Sequence, residues 1–187
     1  MEIQKKNRFV EFMKTYGMYC AVGAVVFIIA LTFTLMATLS KGVPTGTENL
    51  NFALPMQEAL VVKDFSNQEL QKNDTLNQWE AHLAIDLASD KTEVYSVLDG
   101  KVASVSYDIL DGYTIKINHA NGLSSVYSSL EENVLVKEGD KVGAGQKIGD
   151  ASQTATGEFD LGSHLHFSML KDGKFVDPND YLDLQAK

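Results

Sequence analysis

Short runs in which apolar and polar residues alternate fill the chain from about residue 57 onward. Alternation with a period of two is typical of β-strands that bury one face. Turn sequences such as LDGK at 98–101 and HANG at 119–122 separate the runs. The strand-like runs are EALVVKDFS, AHLAIDL, EVYSVLD, KVASVSYD, YTIKINHA, LSSVYSSL and HLHFSML. The pattern predicts an all-β domain, arranged as a sandwich or a barrel-like sheet. For SNQELQKNDTLNQWE at 66–80 we expect a helical turn or a loop.

A second pattern lies near the N-terminus. From Tyr19 to Leu39 the sequence reads YCAVGAVVFIIALTFTLMATL, without a charged residue. At about 1.5 Å per residue, this run is long enough to cross a hydrocarbon core of about 30 Å. Four basic and two acidic residues precede the run, whereas acidic residues predominate after it. The positive-inside rule therefore predicts a cytoplasmic segment 1–18, a transmembrane helix 19–39 and an extracytoplasmic C-terminal part.

Two other interpretations of the apolar run are weaker. A cleaved signal peptide has a shorter apolar region and an Ala-x-Ala pattern, which is absent near MATLSKG. A core helix would carry a polar stripe, and none interrupts this run. The following segment 40–56 contains two prolines and two glycines, which indicates a linker. We therefore expect a single-pass protein of the cell membrane whose folded domain spans residues 57–187.

Composition excludes several classes of site and partner. The chain of 187 residues has a formal net charge of −9, which argues against nucleic acid as a partner. Its single cysteine, Cys20, can form neither an internal disulfide nor a cysteine-rich metal site.

Two of the four histidines lie two residues apart, in GSHLHFSML at 162–170. On a strand, His164, His166 and Ser168 share one face, while the apolar residues between them point into a core. Two imidazoles on one face either bind a common metal ion or are solvated surface residues. For an isolated H-x-H the second interpretation is the better one.

A second segment, AHLAIDL, changes this balance because it offers more ligands. His82 and Asp86 are four residues apart and would share one face of a single strand. Together with His164 or His166 they form a set of two imidazoles and one carboxylate, which zinc accepts with a fourth position left for water. Zinc held in this way lowers the pKa of water toward about 7 and polarises a carbonyl, as peptide hydrolysis requires.

Further motifs follow the H-x-x-x-D pair in order. They are VYSVLDGKV, IKINHANGLSSVYSSL, VKEGDKVGAGQKIG, GSHLHFSML and DGKFVDPNDYL, within residues 80–182. This order resembles the lysostaphin/LytM-type zinc endopeptidases. The resemblance implies a two-sheet β fold with a groove that binds peptidoglycan peptides. It also implies that His82, Asp86 and His166 bind Zn²⁺, and that His164 is a catalytic histidine beside the metal.

One position departs from the family pattern. The family has a second catalytic histidine in a Tyr-x-His-Leu segment, and this chain reads YSSL at 127–130, with Ser129 at that position. A hydroxyl is not a base near neutral pH, and it carries no positive charge to stabilise an oxyanion. Loss of such a group lowers the rate by about 10²–10⁴. His119 lies in the HANG turn and does not replace it, so we expect little or no hydrolysis.

Three functions compete. A membrane-tethered domain of this family with an altered catalytic set resembles scaffold proteins of sporulation. This implies an outer domain that binds a mother-cell membrane protein across the intermembrane space during engulfment.

The second function is an active peptidoglycan endopeptidase in which Ser129, or a water it holds, replaces the histidine. The third starts from VKEGDKVGAGQKIG, which resembles biotinyl and lipoyl carrier domains, but no attachment lysine stands out and the predicted anchor conflicts with a cytosolic role.

Overall fold

The computed structural model describes residues 12–19, 22, 25–28, 31–32 and 50–184. The chain divides into two compact units, Met1–Thr47 and Glu48–Lys187. The described residues of the first unit are helical. Among the described residues, no helix has the length and apolar character needed to cross a membrane. Segment 1–18, the transmembrane helix 19–39 and the linker 40–56 fall largely outside the described residues and stay predictions.

The second unit is mostly β, as predicted. Its described strands are β1 (Leu60–Lys63), β2 (Ser66–Asn73), β3 (Gln78–His82), β4 (Ile85–Ala88), β5 (Glu93–Tyr95), β6 (Gly100–Asp108), β7 (Gly112–His119), β8 (Leu123–Leu130), β9 (Lys141–Val142), β10 (Lys147–Asp150), β11 (Leu165–Lys171) and β12 (Lys174–Val176). Short 3₁₀ segments span Ala120–Gly122, Thr156–Leu161 and Pro178–Asp180.

Eight of these strands form one antiparallel sheet, in the order β1-β4-β11-β8-β7-β6-β9, with β12 paired to β11. Two further sheets have two strands each, β5 with β10 and β2 with β3. The described part of the chain thus has three sheets, where the family resemblance implied two.

Alternating residues of the large sheet form the core of the domain. Leu165, Phe167 and Met169 of β11 are fully buried, which confirms the prediction made from their period of two. Ile115 of β7 and Tyr127 of β8 are buried beside them. Burial of apolar surface stabilises the fold by about 25 cal/mol per Å². A shift of one residue between strands would move these side chains to the opposite face of the sheet, so their burial fixes the register of the central strands.

Residues just before β1 also pack against the domain. Met56 is buried in the core, and the Ala53 N–H donates to the Val97 carbonyl at 2.9 Å. Residues 50–56, at the end of the predicted linker, therefore contact the folded unit.

The prediction for residues 66–80 was wrong. These residues form β2 and most of β3, an antiparallel hairpin. Leu70 and Trp79 are among the exposed residues of this hairpin. Apolar and polar residues alternate only where one strand face is buried, and most of this ribbon is exposed on both faces. The usual strand pattern is therefore missing from its sequence.

Four adjacent strands, β1, β4, β11 and β8, place Asp86 and His166 in one row with other polar residues. Asp86 of β4 lies opposite Lys63 of β1 on one side and opposite His166 of β11 on the other. His166 in turn lies opposite Ser128 of β8. Directly opposite residues of neighbouring strands are close in space, so sheet register brings these polar side chains together.

Candidate metal centre

Asp86 and His166 form the centre of the candidate site. The Asp86 side chain is fully buried, and its Oδ1 lies 2.8 Å from His166 Nδ1. Both residues lie within paired strands, so their separation is set by backbone hydrogen bonds rather than by a flexible loop.

His82 reaches this centre from a different sheet. The prediction that one strand carries both His82 and Asp86 was wrong, because β3 ends at His82 and β4 begins at Ile85. The two side chains nevertheless meet, with His82 Nε2 3.2 Å from Asp86 Oδ2. His82 Nδ1 lies 2.9 Å from the Asp64 carbonyl and donates to it in the tautomer that leaves Nε2 free. The ring is thus oriented with Nε2 toward the centre.

His164 precedes β11 and is buried beside the centre. Its Nδ1 lies 2.8 Å from the Gly162 carbonyl, which again leaves Nε2 as the free nitrogen. His164 Nε2 lies 3.7 Å from Glu158 Oε2. The structure therefore brings all four sequence-predicted histidine and aspartate side chains to one place.

Glu158, which the sequence analysis did not identify, also enters the centre. It belongs to the 3₁₀ segment Thr156–Leu161, which we name the 156–161 loop. Its Oε1 lies 2.6 Å from Lys63 Nζ and its Oε2 lies 2.8 Å from His166 Nδ1. A single acidic residue in a loop has no period and no motif, so the sequence carried no signal for it.

The donor atoms fit a zinc ion in type and spacing. Four side chains each place one ligand atom within 4.8 Å of the others: His82, Asp86, Glu158 and His166. Ligands at about 2.0–2.2 Å from a tetrahedral zinc ion stand about 3.3–3.6 Å apart. The closest nitrogen–oxygen pairs here are separated by 2.8 to 3.6 Å.

Unpaired buried atoms point to the same conclusion. His82 Nε2, Asp86 Oδ2 and His164 Nε2 are buried, and none has a hydrogen-bond partner among the described residues. Burying a polar atom without a partner is unfavourable. A cation at the centre would interact with the lone pairs of the first two atoms directly.

Contacts between carboxylates and imidazoles shift the pKa values of both. Burial favours neutral His166, but hydrogen bonds to Asp86 and Glu158 outweigh burial and raise its pKa to about 10. Burial also opposes ionisation of Asp86, yet the hydrogen bond from His166 and the nearby His82 imidazole hold the Asp86 pKa below its ordinary value. Contacts with His164 and His166 likewise lower the pKa of Glu158 against the effect of burial. The two carboxylates therefore stabilise positive charge at this point.

Ser129 is buried close to His164. Its φ of 60° lies in the left-handed region that few residues other than glycine adopt. Its hydroxyl donates to the Ser152 carbonyl at 2.9 Å, and the same carbonyl accepts the His164 N–H at 3.0 Å. The Ser129 hydroxyl is thus hydrogen-bonded to the backbone.

His119 belongs to a separate polar chain. Its Nδ1 lies 3.0 Å from the Asp99 carbonyl and its Nε2 lies 2.7 Å from the Ser125 hydroxyl. The Ser125 hydroxyl is in turn 3.0 Å from that of Tyr127. These contacts give His119 a structural role at the strand end.

A groove of about 440 Å³ opens at the centre. His82, Glu158 and His166 line it, together with Leu76 of the β2–β3 connection and Phe175 of β12. Ligand pockets commonly measure about 300–1,000 Å³, so the groove is large enough for part of a peptide.

Comparison with known proteins identifies the class to which this fold and site belong. Residues 80–178 match peptidase family M23. The chain therefore belongs to peptidase family M23, and its domain is of the LytM type. Stage II sporulation protein Q of Bacillus subtilis (strain 168) is 34% identical over 154 residues, which cover 75% of this chain and 54% of that protein. The chain thus spans about half the length of this relative.

Solved structures of two kinds resemble the domain. A chain in the SpoIIQ–SpoIIIAH pore-forming complex is 31% identical with a TM-score of 0.63, over 72% of this chain and 92% of that chain. A zinc-containing peptidase from Vibrio cholerae is 31% identical with a TM-score of 0.58, over 68% of this chain and 39% of that chain. The likeness therefore extends to a complex-forming protein and to a peptidase.

Proposed function

We propose that this chain is a membrane-anchored, zinc-binding M23 domain that acts in sporulation as an interaction module. Its exported domain binds a membrane protein of the opposing mother cell and contributes to a channel between the two cells during engulfment. Residues 19–39 anchor it in the forespore membrane, with residues 1–18 in the cytoplasm. The observation that carries the proposal is the likeness to the SpoIIQ–SpoIIIAH complex, in which 92% of the matched chain is covered.

The site supports metal binding without efficient hydrolysis. His82, Asp86 and His166 would hold the zinc ion, which supplies a Lewis acid that polarises a peptide carbonyl. His164 presents Nε2 toward the centre and is placed to hold or move a proton. At the position of the second histidine, the Ser129 hydroxyl is bonded to the Ser152 carbonyl.

Cross-linking in sporulating cells tests the interaction. A tagged full-length chain should cross-link to a membrane protein that has an exported domain, and a tagged control that ends at residue 56 should not. Recovery of peptidoglycan alone, with no membrane protein, would contradict the proposal.

A zinc-dependent peptidoglycan endopeptidase is the second candidate. It is favoured by the retained cluster of His82, Asp86 and His166 with His164 beside it, and by the likeness to the zinc-containing peptidase. Release of wall peptides by the zinc-loaded protein distinguishes the two candidates.

A further inference from the structure

Glu158 uses both oxygens of its carboxylate at the metal centre. Oε1 accepts from the Lys63 ammonium at 2.6 Å, and Oε2 lies 2.8 Å from His166 Nδ1. Oε1 is also 3.6 Å from His82 Nε2. The Glu158 side chain is only 12% exposed. Glu158 therefore contacts two imidazoles in addition to the Lys63 ammonium. An ion pair with Lys63 alone would not require these two contacts.

The 156–161 loop is held from two sides, which fixes where Glu158 points. The Gly157 N–H donates to the Leu110 carbonyl at 3.0 Å, and the Gly157 carbonyl accepts from Asn73 Nδ2 at 3.0 Å. Asp160 N–H donates to the Thr75 hydroxyl at 3.0 Å. The β6–β7 connection and the β2–β3 hairpin therefore both anchor the loop.

Gly157 leaves little space for a larger residue next to Glu158. A Cβ added at Gly157 would stand 3.2 Å from the Leu110 carbonyl oxygen, a contact tighter than ordinary packing. The close approach of the two backbones positions the neighbouring carboxylate at the centre.

We propose that Glu158 is a fourth, protein-supplied ligand that closes the metal site to water and to substrate oxygens. This inference rests on the proposed zinc site. Zinc sites with four protein ligands are typically structural, whereas catalytic sites have three protein ligands and one open position. Two neutral imidazoles with two carboxylates also balance the charge of a divalent cation. Glu158 thus occupies the coordination position at which a peptide would react.

Cobalt substitution of the full-length chain, purified in detergent, tests the proposal. Co²⁺ reports coordination through its visible absorption, and azide is a small anion that binds an open position. In the unmodified protein, excess azide should leave the Co²⁺ spectrum unchanged. In Glu158→Gln the dissociation constant for Co²⁺ should rise at least about tenfold, and azide should change the spectrum. Asp160→Asn, in the same loop, is the matched control and should behave as the unmodified protein.

The outcomes distinguish failure of the metal site from failure of Glu158 as a ligand. If the unmodified chain binds no Co²⁺, the metal site itself is wrong. If it binds Co²⁺ but azide alters its spectrum as strongly as that of Glu158→Gln, the site stands and Glu158 is not a ligand. Azide titration of the unmodified chain decides this even if Glu158→Gln fails to fold.

Discussion

At the residue scale, the proposal assigns metal binding and loss of catalysis to different residues of this site. His82, Asp86 and His166 lie on strands or at a strand end, where the backbone fixes them. Ser129, by contrast, has a left-handed backbone, and its hydroxyl donates a hydrogen bond to the Ser152 carbonyl. The site can therefore keep affinity for an ion while it lacks a group that stabilises charge developing on a substrate.

Replacement of single ligands should abolish stoichiometric zinc. His82→Ala and His166→Ala each remove one of the donors that surround the centre, and each removes one of the two imidazoles that contact the buried Asp86 carboxylate. Elemental analysis of the purified full-length chain should find less than one zinc per chain in both variants. His119→Ala is the control, because His119 contacts Asp99 and Ser125 instead. Loss of metal in His119→Ala, with full occupancy in His166→Ala, would show that the ligands are assigned wrongly.

Recovery of hydrolysis should require two substitutions. Ser129→His restores an imidazole, and histidine tolerates a left-handed backbone better than most residues, yet Glu158 still occupies the centre. We expect Ser129→His/Glu158→Ala to release wall peptides at least about 100-fold faster than Ser129→His alone. Ser129→Ala/Glu158→Ala provides the control and should stay at background. Equal rates for the single and the double histidine variants would argue against a blocking role of Glu158.

At the scale of elements, the β2–β3 hairpin and the 156–161 loop form one wall of the site. Asn73, which is buried at the end of β2, joins them: its Nδ2 donates to the Gly157 carbonyl and to Glu80 Oε1. Its Oδ1 accepts the Leu76 N–H. One side chain thus connects the hairpin turn to the loop that carries Glu158.

Truncation of the Asn73 side chain should destabilise the domain. Asn73→Ala leaves the buried Gly157 carbonyl without its donor, and we expect the free energy of unfolding to fall by about 1–3 kcal/mol. Chemical denaturation followed by circular dichroism measures the change. Asn67→Ala, at an exposed position of the same strand, should change stability by less than about 0.5 kcal/mol. A similar effect of both variants would mean that Asn73 does not hold the loop.

The elements differ in how far the sequence could predict them. Strand β11 was predictable because one face is buried and its apolar residues alternate. The β2–β3 hairpin was not, because most of it is exposed and no alternation marks it. His82 and Asp86 were paired correctly but on an incorrect single strand, since sequence spacing does not show where a chain changes sheets.

Glu158 illustrates a further limit. Its place beside His166 depends on hydrogen bonds from the 156–161 loop to Leu110 and Asn73, which are distant in the sequence. No local pattern encodes such a tertiary arrangement. The meeting of His82, Asp86 and His166 was predictable from the family motifs, whereas the position of Glu158 beside them required the structure.

For the whole molecule, the account predicts that partner binding does not use the metal directly. Removal of zinc should weaken capture of the membrane partner only as far as it destabilises the fold, because metal binding is coupled to folding. Cross-linking of the His166→Ala chain should therefore recover the same partner at a temperature where circular dichroism shows a folded domain. The unmodified chain serves as reference. Complete loss of the partner from a folded His166→Ala chain would place the metal in the interface.

The most direct test of the central claim is release of peptides from purified peptidoglycan by the unmodified, zinc-loaded chain. With Ser129 in place of an imidazole and Glu158 in the centre, the account predicts release no greater than that of His166→Ala. Chromatography of the soluble products measures this release, and chelated protein gives the zinc-free baseline. Robust, zinc-dependent release that disappears in His164→Ala would contradict the account and identify a working endopeptidase.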